Sequence, residues 1–247
     1  MENKLKIVFA GSPKSSSTIL QSLIDNSKVE VPYVISQEPK RAKRGNKLIP
    51  TEVAIKATEN GIDLLEPRSL DEIKKLITGF DFDFLLVAAY GKILPDWMLN
   101  APVYEPINVH YSVLPKHRGA SPIQSTILTG DTMAGISIMK INNKLDSGDI
   151  YSIFEKNIDD DDDKISLERK LTELCNANLF NILDKIKSNE LNPLPQDHSK
   201  ATYCNKVLKQ ESEINFNDGS TNIINKYRAF IEWPGIYFNY KNKVIKI

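Results

Sequence analysis

LKIVFAGSPKSSSTILQSLIDN, residues 5–26, decides the fold. Its first segment, LKIVFAG, is apolar apart from Lys6, as in a strand covered on both faces. The turn Gly11-Ser12-Pro13 follows. Apolar residues then recur at three- and four-residue spacing over 16–26, the period of a helix with one buried stripe. The same order repeats down the chain. VEVPYVIS (29–36) reads as a second strand, and PTEVAIKATENG (50–61) as a helix with Pro50 in its first turn and Gly61 at its stop. IDLLEP (62–67) is a short strand, SLDEIKKLITG (69–79) a helix with an acidic first turn, and DFLLVAAYG (83–91) a strongly apolar strand. INVH (107–110) is the next strand. Strands alternating with helices predict an α/β fold built on a doubly wound, mostly parallel sheet.

Beyond residue 121 the pattern changes. A helix over 121–129 precedes GISIMKI (135–141), the turn NNKLDSG and DIYSIFEKNI (149–158), which read as two strands closing a sheet edge. The acidic run DDDDDK (159–164) reads as a solvated loop at the start of a helix over 165–187, where negative charge suits the helix dipole. The Pro-rich, polar stretch SNELNPLPQDHSK (188–200) reads as a linker. The division expected is a main domain over 1–189, a linker over 190–205 and a short appendage over 206–247. About forty residues are too few for an independent core, so the appendage must pack on the main domain or be the stub of something larger.

Of the 247 residues 41% are hydrophobic, enough for a sizeable core, and 32 basic residues balance 32 acidic ones. Global charge therefore argues neither for nor against nucleic acid, and only local clustering counts. Cys175 and Cys204 form neither a CxxC pair nor a disulfide framework, which suits a reducing compartment. The apolar run near the start, Ile7 to Gly11, is too short for a signal-peptide core, and no stretch approaches a membrane span. A cytoplasmic protein without membrane attachment is expected. With no long exposed apolar stripe in view, so is a monomer.

Three strands end in suggestive residues: Gly11-Ser12-Pro13, Ala89-Tyr90-Gly91 and Asn108-Val109-His110. In an open parallel sheet, ligands sit beyond such ends. GSPKSSS lacks GxGxxG, so a nicotinamide cofactor has no support. Asn108 and His110, two apart on a strand, point the same way and can converge on one oxygen, as acyl transfer requires. Histidine is also the usual proton carrier near neutral pH. A carboxylate to orient it is available in KLDSGDI (144–150), as Asp146 or Asp149, although a plain turn-forming role suits Asp146 as well. No protein nucleophile offers itself, since neither cysteine is near the strand ends and Ser112 has no GxSxG elbow. The acceptor must then be its own nucleophile. No HExxH, CxxC or His cluster suggests a metal.

NVHYSVLPKHRGASPIQ resembles the NVHxSLLPxxRGxxPIQ signature of the methionyl-tRNA formyltransferase family. LKIVFAGSP is similar to that family's LRIVFAGTP, LLVAAYGKILP to VVAYGxILP, GISIMKINNKLDSGDI to GVTIMxMDxGLDTGDI, and AFIEWPG to AFNPWPG. The likeness runs in register over nearly the whole chain. It implies a Rossmann-like formyltransferase domain over 1–189. The activity implied is transfer of a formyl group from 10-formyltetrahydrofolate to the amino group of initiator methionyl-tRNA. On this resemblance the catalytic residues are Asn108, His110 and Asp146, with Asn108 and His110 bonding the formyl oxygen and Asp146 orienting His110 and helping to move protons from the attacking amine. The folate-binding residues are Ser112, Val113, Leu114 and Pro115, with Tyr90 and Gly91 in the pterin-lining stretch 88–95. The basic stretch KRAKRGNK (40–47) becomes a tRNA contact through Arg44, with Lys43 and Lys47 on phosphates. Residues 206–247 become the opening of a tRNA-binding C-terminal domain, cut short here.

Two side chains depart from the family pattern. Tyr111 stands where it has Gly or Ala and could narrow the formyl site, and His117 replaces a common aromatic. A sugar-nucleotide N-formyltransferase is the nearest rival, but it tends to read RGRxPxxW where this chain has RGASPIQ. A non-catalytic folate- or RNA-binding protein is the rival from another class.

Overall fold

The computed structural model describes residues 4–41, 47–241 and 243–247. Its strands, in chain order, are β1 (Leu5–Gly11), β2 (Val29–Glu30), β3 (Tyr33–Ile35), β4 (Lys40–Arg41), β5 (Leu48–Ile49), β6 (Asp63–Leu65) and β7 (Phe84–Ala88). They continue with β8 (Glu105–His110), β9 (Arg118–Gly119), β10 (Met133–Lys140), β11 (Ile150–Asn157), β12 (Tyr203–Cys204), β13 (Tyr237–Tyr240) and β14 (Lys243–Lys246). The helices are α1 (Lys14–Ile24), α2 (Glu52–Glu59), α3 (Lys74–Ile77), α4 (Asp96–Leu99), α5 (Pro122–Leu128), α6 (Lys164–Lys187) and α7 (Ser220–Phe230).

The central sheet has the order β11-β10-β8-β7-β1-β3-β6, with β2 also paired to β1. β6, β3, β1, β7 and β8 are mutually parallel. β10 runs antiparallel to β8, and β11 antiparallel to β10. The sheet is thus mostly parallel, with an antiparallel pair closing one edge.

Both faces of β1 are covered. Leu5, Ile7 and Phe9 enter one core, with the apolar stripes of α1, α2, α5 and α6, while Val8 and Ala10 enter another, with Ile73, Ile77, Phe82 and Met98. Alternation on a strand sends successive side chains to opposite faces, so a strand buried on both reads as an unbroken apolar run.

The structure corrects four local expectations. VEVPYVIS is two short strands, because Pro32 has no N–H to give the ladder. Pro50 lies outside α2: Thr51 is the cap, its hydroxyl accepting from the Ala54 N–H at 3.0 Å. Residues 69–79 form a 3-10 turn (Leu70–Ile73) leading into the short α3 rather than one helix. The acidic run is only partly solvated. Asp163 caps α6 through the Ile165 and Ser166 amides, whereas Asp162 is 2% exposed and bridged to Lys170 at 2.7 Å.

The C-terminal appendage is anchored in the main core. Val207, Ile214, Phe230 and Ile236 are buried there, each worth roughly 1.5–3 kcal/mol. The stretch 190–205, expected as a linker, is tied down too. Leu194 exchanges two 2.8 Å backbone bonds with Ile150, and β12 pairs with β9. Among the described residues, no helix is long and apolar enough to cross a membrane.

Candidate active site

The chain steps outward from β1 to β3 and β6, then crosses back to β7 on the other side of β1. Loops diverge beyond the carboxyl ends at such a reversal and leave room for a ligand. A cavity of about 910 Å³ opens there, floored by the ends of β7 and β8. Ala89 to Leu94 form one wall, Asn142 to Asp146 another, and Gly119, Ala120 and Pro122 a third. Its size and mixed apolar and polar lining suit a small organic cosubstrate.

Asn108 and His110 lie on β8, Asn108 between Val87 of β7 and Met139 of β10 and His110 opposite Ser137 of β10, and both border the cavity. Asn108 is half-buried, and among the described residues its side-chain amide has no hydrogen bond to the protein. His110 is 5% exposed. Its Nε2 lies 3.0 Å from the His117 carbonyl oxygen. A carbonyl only accepts, so the proton of the neutral ring sits on Nε2 and the lone pair on Nδ1. Nδ1 faces Asp146 Oδ2 at 3.7 Å, beyond hydrogen-bond length but within ion-pair reach if the ring is protonated.

Burial lowers the pKa of His110 below its ordinary 6.5. The Asp146 charge and the bond to His117 push it up, and the charges of His117 and Arg118 push it down. The net direction is downward, so the resting ring is neutral at pH 7.

Asp146 reaches this position from an unusual backbone. Its φ is +43°, a conformation Asp tolerates better than most residues. The Gly119 N–H donates to its Oδ2 at 2.8 Å. Gly148, two residues on, has no room for a side chain, because a Cβ would collide with the Lys140 carbonyl oxygen. The LDSG turn therefore aims an acid, and Asp149 is not among the cavity-lining residues.

The other expected residues divide. Tyr90 and Gly91 border the cavity, but the Tyr90 ring packs into the second core and its carbonyl accepts from Gln37 Nε2 at 2.6 Å. Ser112, Val113, Leu114 and Pro115 do not line the cavity. Ser112 Oγ donates to the Lys116 carbonyl at 2.6 Å, and the Leu114 N–H donates to Ser137 Oγ at 3.1 Å. Those groups are engaged within the loop and against β10, and the loop also delivers the His117 carbonyl to His110. Tyr111, just beyond β8, also borders the cavity, and its hydroxyl bonds Thr172 of α6 at 2.9 Å. His117 contacts Asp131 at 2.8 Å. Lys47 is exposed beside β5, whereas Lys43 and Arg44 lie outside the described residues.

Local pattern pointed to neither Arg118 nor Gln196. Both are nearly buried and bonded to each other, and Gln196 is bonded to the backbone around Asp146.

Comparison with known proteins adds the following. The Formyl transferase family profile matches residues 5–183, and the profile of its C-terminal domain matches residues 206–247. The methionyl-tRNA formyltransferase of Sulfurihydrogenibium sp. is 40% identical over 246 residues, covering 98% of this chain and 79% of its own length. That of Finegoldia magna is 38% identical, covering 99% of this chain and 79% of its own length. Among solved structures, a sugar 3N-formyl transferase crystallised with dTDP and 5-N-formyl-THF superposes with a TM-score of 0.72 at 22% identity, over 98% of this chain and 85% of that one. An N-formyltransferase from Helicobacter canadensis, complexed with folinic acid and dTDP-3-aminofucose, gives 0.75 at 19% identity, over 96% and 85%. At that identity the structures share the fold.

Proposed function

The chain belongs to the formyl transferase family, and we propose that it moves a formyl group from 10-formyltetrahydrofolate to the amino group of initiator methionyl-tRNA in the cytoplasm. What supports the chemistry is the meeting of Asn108, His110 and Asp146 at the floor of one cavity of about 910 Å³. The 38–40% identity to methionyl-tRNA formyltransferases over nearly the whole chain supports the acceptor.

The site's residues divide the work by what each has free. Asn108 holds an uncommitted amide at the cavity floor, which donates to the formyl oxygen as negative charge builds there. His110 cannot share that task in its resting state, because its one N–H is given to the His117 carbonyl. Its Nδ1 lone pair instead takes the proton from the attacking amine, and the same nitrogen returns it to the folate nitrogen as the C–N bond breaks. Asp146 stabilises the imidazolium between these transfers from 3.7 Å. This refines the role expected from resemblance, in which His110 bonds the formyl oxygen.

The lowered pKa of His110 has a sign that kinetics can read. The proton-accepting form is the neutral one, so the rate holds as pH falls through 6.5 and drops only at the lower pKa of the folded site. The acid limb of kcat is expected below 6.5 and is read from a pH–rate profile. A limb above 6.5 would contradict a desolvated, neutral His110. In unfolded chains the ring protonates first, so the stability owed to neutral His110 is present above about 6.5 and declines below it.

Offering methionyl-tRNA and an amino-sugar nucleotide side by side, with formyltetrahydrofolate, tests the acceptor. Formyl-methionine recovered after deacylation is the expected product. Formylated sugar alone would transfer the reading to the rival activity. The basic stretch 40–47, with Lys43, Arg44 and Lys47, is proposed to meet the tRNA through its phosphates. Arg44→Ala is then expected to weaken tRNA binding about tenfold at low salt with a shallower salt dependence; unchanged affinity would remove the stretch from the interface.

A further inference from the structure

Arg118 is 2% exposed, and among the described residues no carboxylate pairs with it. A buried charge without a counter-ion is costly, so the geometry of its hydrogen bonds is informative. Nε and Nη2 donate to Gln196 Oε1 at 3.1 and 2.6 Å, and Nη2 also donates to His198 Nδ1 at 3.0 Å. Gln196, 6% exposed, turns its Nε2 to the carbonyls of Asp146 at 3.0 Å and Gly148 at 2.7 Å. A guanidinium only donates and a carbonyl only accepts, so the amide can sit in one orientation alone. Both of its N–H groups and both of its lone pairs are then used.

This amide holds the backbone of the turn in which Asp146 adopts its φ of +43°. The carboxylate of Asp146 is held separately, by the N–H of Gly119, the residue after Arg118. Arg118-Gly119 thus grips Asp146 twice, through its main chain by way of Gln196 and through its side chain directly. Resting on the formyl-transfer reading, we infer that Gln196, oriented by Arg118, is a positioning residue that sets the Asp146 carboxylate at its working distance from His110. Gln196 comes from a stretch whose composition reads as a linker, yet it reaches residues 78 and 48 positions away in the chain.

Gln196→Glu separates positioning from general support. The new carboxylate keeps the acceptors for Arg118 but loses the donors to the turn and sets negative charge against two carbonyls. The expected result is a chain that melts near the parent, with kcat lowered about 30-fold and KM for both substrates within about twofold. In an Asp146→Ala background the same change is expected to alter kcat by less than about twofold, because what it positions is gone. A 30-fold loss in both backgrounds, or full activity of Gln196→Glu, overturns the inference. Should Gln196→Glu not fold, Gln196→Met, which fills the space without hydrogen bonds, is read by the same cycle. A crystal structure of the variant decides the point even if the parent transfers no formyl group. Loss of the Asp146–Gly119 bond supports positioning, and its retention overturns it.

Discussion

His110→Ala is expected to lower kcat about 1,000-fold with little change in KM for the formyl donor. Proton transfer by a placed side chain contributes roughly 100- to 10,000-fold, and here one nitrogen serves both proton steps. The binding walls of the cavity, Ala89 to Leu94 and Asn142 to Leu145, remain in the variant, so ground-state affinity should survive. Folding should survive as well. The His117 carbonyl loses His110 but keeps the Cys204 thiol as a donor at 3.3 Å. Steady-state kinetics beside a thermal melt check both halves. A variant with a raised KM and unchanged kcat would make His110 a binding group only.

Asn108→Ala is expected to cost about 100- to 1,000-fold in kcat, the usual effect of removing one donor from a developing oxyanion. The reasoning is geometric. Asn108 borders the cavity, half-buried, and among the described residues its amide has no protein partner, so its loss should leave no protein group stranded. Stability should therefore move little while the rate collapses. Asn108→Asp keeps the shape and turns the donor into an acceptor, and it should be at least as impaired as Asn108→Ala. Activity retained in both variants would mean that the oxygen is held by something else.

How far the sequence revealed this arrangement depends on the range of the interactions. Strands buried on both faces, such as Phe84–Ala88, announce themselves because alternation vanishes when water touches neither face. Asn108 and His110 were legible for the same kind of local reason, a strand ending in two polar residues on one face. Asp146 was harder: LDSG looks like a turn, and only folding brings Gly119 and His110 to it. Gln196 could not be read locally at all. A polar, Pro-rich stretch means solvation unless distant partners satisfy it, and those partners are Arg118, Asp146 and Gly148. The loop 112–115 is legible as a motif, but what fastens it is not: Ser137 on β10 accepts from the Leu114 N–H and donates to the Ser112 carbonyl.

Cocrystallisation with an inert 10-formyl folate analogue, carbon replacing the N10 nitrogen, addresses the arrangement most directly. The formyl oxygen is expected within hydrogen-bond distance of the Asn108 amide, with His110 Nδ1 facing the carbon that takes the place of N10. Clear density for the analogue elsewhere, or with its formyl group turned away from β8, would contradict the account.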